Sequence, residues 1–121
     1  MLNTIPLKRN NDFLRTYKKG KFFVGKYIIL YVLRNNTGKN RLGITASKKF
    51  GKSVQRNRIK RLIRENYRFY EEYIKEGFDI VFVARNKAEM PEFTDVKKEM
   101  KFLLKKLDIF DREKWDCLKE Y

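Results

Sequence analysis

The stretch from Ser53 to Lys75 carries two patterns at once, and a helix lying on a larger apolar surface satisfies both. Counted at about 100° per residue from Arg56, the cations Arg56, Lys60, Arg64, Arg68 and Arg61 fall between about 0° and 140°, with Asn57 among them. Leu62, Phe69, Ile59, Tyr70 and Ile63 fall between about 220° and 340° on the same wheel. One side must be covered by a sheet or another helix, and the other must stay open. Ser53 is the expected N-cap, and Gly77 marks the end, with the helix running to about Lys75.

The surface that covers such a helix is visible on either side of it. Residues 27–33 (Tyr-Ile-Ile-Leu-Tyr-Val-Leu) are aromatic and β-branched, and the turn residues Asn35-Asn36-Thr37-Gly38 separate them from strand-like residues 41–47. This pair reads as a hairpin. Residues 79–84 form a third strand whose nearly unbroken apolar run places it centrally in the sheet, buried on both faces. A further short strand fits residues 21–24. Ahead of them, Asn10 or Asn11 caps a short helix to about Lys19, Gly20 supplies a left-handed stop, and Phe13, Leu14 and Tyr17 share one side. A last helix begins near Thr94, with Val96, Met100, Leu103, Leu104 and Leu107 opposite Lys97, Lys98, Lys101, Lys105 and Lys106. The order is α-β-β-α-β-α. In 121 residues there is no repeat, low-complexity block or linker, so one domain is expected.

Charge is distributed as unevenly as the helix suggests. Residues 1–64 hold 18 Lys and Arg against the single acid Asp12, whereas the remaining 57 residues hold 12 Lys and Arg against 14 Asp and Glu. A merely alkaline protein would spread its excess. Crowding cations on one helical arc costs repulsion that a row of phosphates relieves, with release of counterions. A solvated surface helix would instead alternate its charges, and Glu65 is the only acid between Lys48 and Tyr70. Lys48, Lys49 and Lys52 extend the charge to the N-terminus of the helix, itself an anion site. Asn57 adds an amide that can meet a base edge or a 2′-hydroxyl.

The same composition excludes much protein-based catalysis. There is no histidine, which removes Ser-His-Asp and Cys-His nucleophiles and the HExxH zinc site. Cys117 is the only cysteine, so no intrachain disulfide or cysteine metal cluster can form, and a reducing cytoplasm is the expected setting. No apolar run approaches a membrane span, and no signal peptide is evident.

The run Ala46-Ser47-Lys48-Lys49-Phe50-Gly51-Lys52-Ser53, continuing through Val54-Gln55-Arg56-Asn57-Arg58-Ile59-Lys60-Arg61-Leu62-Ile63-Arg64-Glu65, resembles the signature of the bacterial ribonuclease P protein component. Asn11-Asp12-Phe13, Lys18-Lys19-Gly20, Arg41-Leu42-Gly43-Ile44 and the strand at residues 79–85 support the resemblance, which covers about residues 7–107. It implies an α/β (α+β) two-layer sandwich of a type shared with a ribosomal protein domain. About four strands form a central mixed sheet with about three helices, and the β-α-β crossover is left-handed, against the usual preference. It also implies that the protein binds a large catalytic RNA, and that the complex removes the 5′ leader of precursor tRNA by hydrolysis dependent on Mg²⁺, held mainly by the RNA. No further protein partner is implied.

Under this resemblance Lys48, Lys49, Lys52, Arg56, Asn57, Arg58, Lys60, Arg61, Arg64 and Arg68 contact the catalytic RNA. Arg58 sits near about 200° on the wheel, off the main arc, so its place comes from the motif. The leader falls to Phe13, Tyr17 and Tyr31, on which single-stranded bases can stack. The residues alone allow those three rings to be core instead. Tyr17 stands where the family usually carries phenylalanine. Residues 108–121 lie outside the resemblance, with Trp115 packed back on the core or free. The basic half and the fold would equally suit a ribosomal component. A nuclease acting alone lacks the acids to hold catalytic metal, and a helix-turn-helix DNA binder lacks a helix ahead of the basic one.

Overall fold

The computed structural model describes residues 4–85 and 89–114. In chain order the elements are β1 (Thr4–Pro6), α1 (Asn10–Lys19), β2 (Lys21–Val24), β3 (Ile28–Arg34), β4 (Asn40–Ala46), α2 (Ser53–Tyr70), β5 (Phe78–Ala84) and α3 (Phe93–Lys106). The strands form one sheet in the order β1-β4-β5-β3-β2. β5 is its centre, antiparallel to β3 and parallel to β4. Its apolar run suits that place, since Ile80, Val81 and Phe82 are all fully buried.

The two strands expected to form a hairpin are therefore not neighbours. The turn residues do reverse the chain: Asn36 takes φ 59°, and the Asn35 carboxamide accepts from the Thr37 N–H (2.9 Å) and donates to the Lys39 carbonyl (3.0 Å). Reversal does not oblige pairing, and β5, the most apolar strand, enters between them. Asn35 shares in that arrangement, because its Nδ2 also donates to Asp79 Oδ1 on β5 at 3.0 Å.

Strand alternation divides the sheet into two faces. Ile28, Leu30, Val32, Leu42, Ile80, Phe82 and Ala84 point to one face. There they join Ile59, Leu62, Ile63, Tyr67 and Tyr70 of α2 and Val96, Met100, Leu103 and Leu104 of α3 in a single core. Sheet and helix pair make the sandwich, and β4-α2-β5 is its β-α-β unit. The shorter α1 packs on the opposite face against β3 and β5.

Several element ends depart from expectation. Arg9 rather than Asn10 or Asn11 occupies the N-cap of α1, with no side-chain cap. Gly20 is extended (φ −75°, ψ 159°), so it is not a left-handed stop; a Cβ there would stand 2.7 Å from the Val32 carbonyl oxygen. The glycine serves close approach of the helix end to β3. Lys52, not Ser53, is the N-cap of α2, and its N–H donates to Gln55 Oε1 at 2.9 Å. α2 ends at Tyr70 and tightens into a 3₁₀ turn over Glu71–Tyr73, short of Lys75.

Strand β1 was not anticipated. It is three residues long, and its Pro6 lacks an N–H, which an edge strand tolerates. Ile109 and Phe110, beyond the resemblance, belong to the core, held where the Lys75 N–H donates to the Ile109 carbonyl and the Asp111 N–H to the Tyr73 carbonyl, both at 2.7 Å. Trp115 lies outside the described residues.

Candidate nucleic-acid interface

The outer side of α2 is a cationic surface on which Glu65 is the one acid. Ile59, Leu62, Ile63, Asn66, Tyr67 and Tyr70 are buried, which turns the opposite side, centred on Arg61, Arg64, Arg68 and Asn57, outward. Arg56 and Lys60 are half-buried at the margin of this face, and Arg56 Nη2 donates to Ser53 Oγ at 3.1 Å. Tyr67, near 20° on the wheel by about 100° steps, is buried because its hydroxyl meets Thr4 Oγ1 of β1 at 2.9 Å. Phe69 leaves the expected apolar stripe: it is 43% exposed, with the Lys97 ammonium 4.2 Å from its ring centre.

Val54, Asn57, Arg58, Lys60, Arg61 and Arg64 line an open depression of about 540 Å³. Arg58 thus joins the cations from their far flank. The ion pairs among the described residues involve Arg15, Arg41 and Lys75, and none of the α2 cations. Unpaired guanidinium groups at these spacings favour a phosphate backbone. Lys48 and Lys49 are exposed on a 3₁₀ turn, with Lys52 after it, so this charge leads directly into the N-terminus of α2.

Phe13, Tyr17 and Tyr31 are brought together on the other face of the sheet. All three are half-buried, which sets them apart from the core on the far side. Ring centres are 6.4 Å apart for Phe13 and Tyr17 and 4.9 Å for Tyr17 and Tyr31. Phe13 sits over Gly43 of β4, where a Cβ would overlap the ring. The expectation missed Phe22, whose ring stacks on Tyr31 at 5.4 Å. Its signal was the alternation of the short strand at residues 21–24, which fixes Phe22 on the same face as Tyr31.

What holds α1 over this face is a charged cluster that the separate positions in sequence concealed. Asp79 is fully buried and takes a two-pronged contact from Arg41, Nε to Oδ1 and Nη2 to Oδ2, both 2.7 Å. Asp12 of α1 bridges to Arg41 Nη1 at 3.3 Å and to Arg15 Nη2 at 2.8 Å. The hydrogen bonds to Asp79 raise the Arg41 pKa above its ordinary value, against an opposing desolvation. The cluster ties the first two turns of α1, and with them Phe13, to β4 and β5.

The two surfaces meet at the edge of β4. β1 covers that strand only as far as Leu42, and beyond it a depression of about 260 Å³ is lined by Pro6, Leu7, Phe13, Leu42, Gly43, Ile44 and Arg64. A polyanion on α2 and a single strand on the aromatic face would adjoin there.

Among the described residues no group of three or more His, Cys, Asp or Glu side chains is placed to hold a metal, and no helix is long and apolar enough to cross a membrane. The family model of ribonuclease P matches residues 1–108. The ribonuclease P protein component of Clostridioides difficile (strain 630) is 47% identical over 107 residues, which are 88% of this chain and 94% of that protein. That of Alkaliphilus oremlandii is 44% identical over 105 residues, covering 87% and 92%. In three dimensions the RNase P protein of Staphylococcus aureus matches with a TM-score of 0.80 at 36% identity, over 88% of this chain and 97% of that one. The protein from Thermotoga maritima gives 0.75 at 36% identity, over 84% and 96%. With a family match along nearly the whole chain and the same fold in solved relatives, this chain belongs to the ribonuclease P protein component family, the accessory protein subunits of that endoribonuclease.

Proposed function

We propose that this chain docks on the catalytic RNA of ribonuclease P through α2 and carries the 5′ leader of precursor tRNA across the aromatic face of the sheet. The observation that carries this reading is the junction at the β4 edge, where Arg64 and Phe13 line one depression. A leader leaving the catalytic RNA there passes straight onto Phe13, Tyr17 and Tyr31.

The chain's contribution is electrostatic and positional. Arg61, Arg64 and Arg68, with Lys60 and Arg56 beside them, neutralise phosphates and so lower the repulsion between two RNAs brought together. The aromatic face holds single-stranded bases by stacking, which tolerates varied leader sequences. Mg²⁺ supplies the activation of water in this hydrolysis. Among the described residues no three carboxylates are grouped to hold it, and Asp12 and Asp79 are engaged by arginines. The ion then falls to the RNA. A cytoplasmic setting agrees with this substrate.

The test is reconstitution. Added to a bacterial ribonuclease P RNA at low Mg²⁺, the purified chain should restore cleavage of precursor tRNA at the mature 5′ end; no restoration would overturn the proposal.

A further inference from the structure

The strand β2 closes the sheet on the side away from α2, and Phe22 is registered on it directly opposite Tyr31. The two rings are stacked, with planes 29° apart, whereas Tyr31 and Tyr17 meet edge-on at 67°. Phe13, Tyr17, Tyr31 and Phe22 therefore make one continuous file of rings across the sheet, from Gly43 on β4 to the free edge of β2.

Phe22 is 57% exposed, more than any other described aromatic residue. A large apolar ring on an edge strand invites unwanted association, so proteins usually place charges there. Stacking on Tyr31 covers one side of Phe22 and leaves the rest open, a geometry suited to a second flat π-surface. Lys18, Lys19, Lys21 and Lys26 are exposed nearby in the chain, and one acid that reaches this end of the sheet, Glu99 of α3, accepts from the Lys26 and Tyr27 N–H groups at 2.6 and 2.8 Å. Aromatic rings flanked by cations suit single-stranded nucleic acid.

We propose that Phe22 and Tyr31 form a stacking site for one additional nucleobase of the single strand, beyond those held at Phe13 and Tyr17. This rests on the reading of the aromatic face as the leader cleft. Its direction follows from the fold. The α2 end of the file is the β4 edge, so nucleotides nearest the cleavage point lie at Phe13 and those farther out reach Phe22. Phe22 sets how much leader the protein measures.

The experiment uses the chain assembled with a ribonuclease P RNA and precursor tRNAs whose leaders grow one nucleotide at a time. For the unaltered chain, affinity should rise in a last step when the leader reaches β2. Phe22→Ala should lose that step, by about fivefold or more in Kd for one stack, and match the unaltered chain on shorter leaders. Phe22→Tyr should restore it. Equal behaviour of Phe22→Ala and the unaltered chain at every length would overturn the proposal, as would an equal loss at every length and with mature tRNA. Failure of the leader cleft itself reads differently: Phe13→Ala and Tyr31→Ala would then leave affinity unchanged at all lengths.

Discussion

The ring of Phe13 occupies the space in which any residue other than glycine at position 43 would place its Cβ. This fit lets α1 lie close to β4 and sets the floor of the depression shared with Arg64. Gly43→Ala should force Phe13 and its helix outward, at about 1–3 kcal/mol for an overpacked contact. The expected result is a lower thermal midpoint with weakened discrimination of precursor over mature tRNA. Affinity for the catalytic RNA should hold, because α2 packs on the other face. Unchanged discrimination would show that Phe13 is placed by something else.

A second prediction concerns the buried carboxylate under α1. Arg41→Ala leaves Asp79 without its two-pronged partner, with only Asn35 at 3.0 Å and a distant Arg15 at 3.9 Å, and should cost about 3–5 kcal/mol in denaturant unfolding. Replacing both residues by leucine should recover much of that loss, because the uncompensated charge is gone. A loss below about 1 kcal/mol for the single change would mean that Asp79 is already satisfied without Arg41.

Asp79 also explains what the sequence could and could not reveal. Its apolar followers identify a central strand from composition alone, and β5 is central. Its partners Arg41 and Asn35 lie 38 and 44 residues away, on β4 and beside β3, and nothing local in the chain announces that both strands flank β5 rather than each other. The α2 wheel located Ile59, Leu62, Ile63 and Tyr70 in the core, since periodicity reports the covered side of a helix. It misplaced Phe69, because coverage at the margin depends on neighbours such as Lys97, and it gave no warning that Tyr67 would be closed over by β1. The exposed cations of α2 were legible as an excess of charge. Phe22 was not, because the alternation of a four-residue strand assigns it to Tyr31's face only once the register of β2 on β3 is known.

Alkaline stability gives a third prediction. Burial pushes the Tyr67 phenol up to about 12 from an ordinary value of 10.0. Its folded form therefore holds the proton more tightly than its unfolded form. That contribution is complete below pH 10 and is lost as pH rises from about 10 toward about 12, amounting to about 2–3 kcal/mol. Tyr67→Phe should flatten the fall in stability over this window, while costing roughly 1 kcal/mol at neutral pH for the lost hydrogen bond to Thr4. An equal alkaline slope in both proteins would assign the loss to other groups.

The central claim is that two surfaces do separate work, docking on α2 and leader binding on the opposite face of the sheet. Its most direct test measures, for each variant, the salt dependence of catalytic-RNA binding and the ratio of precursor to mature tRNA affinity in the assembled complex. Arg61→Ala and Arg68→Ala should flatten the log–log salt slope by about 0.7–0.9 per lost phosphate contact and leave the tRNA ratio intact. Tyr31→Ala should reduce that ratio by about fivefold or more and leave the slope intact. Arg64→Ala, at the junction, should move both. If the arginine and tyrosine variants shifted the two quantities together, the division of labour between the two faces would be contradicted.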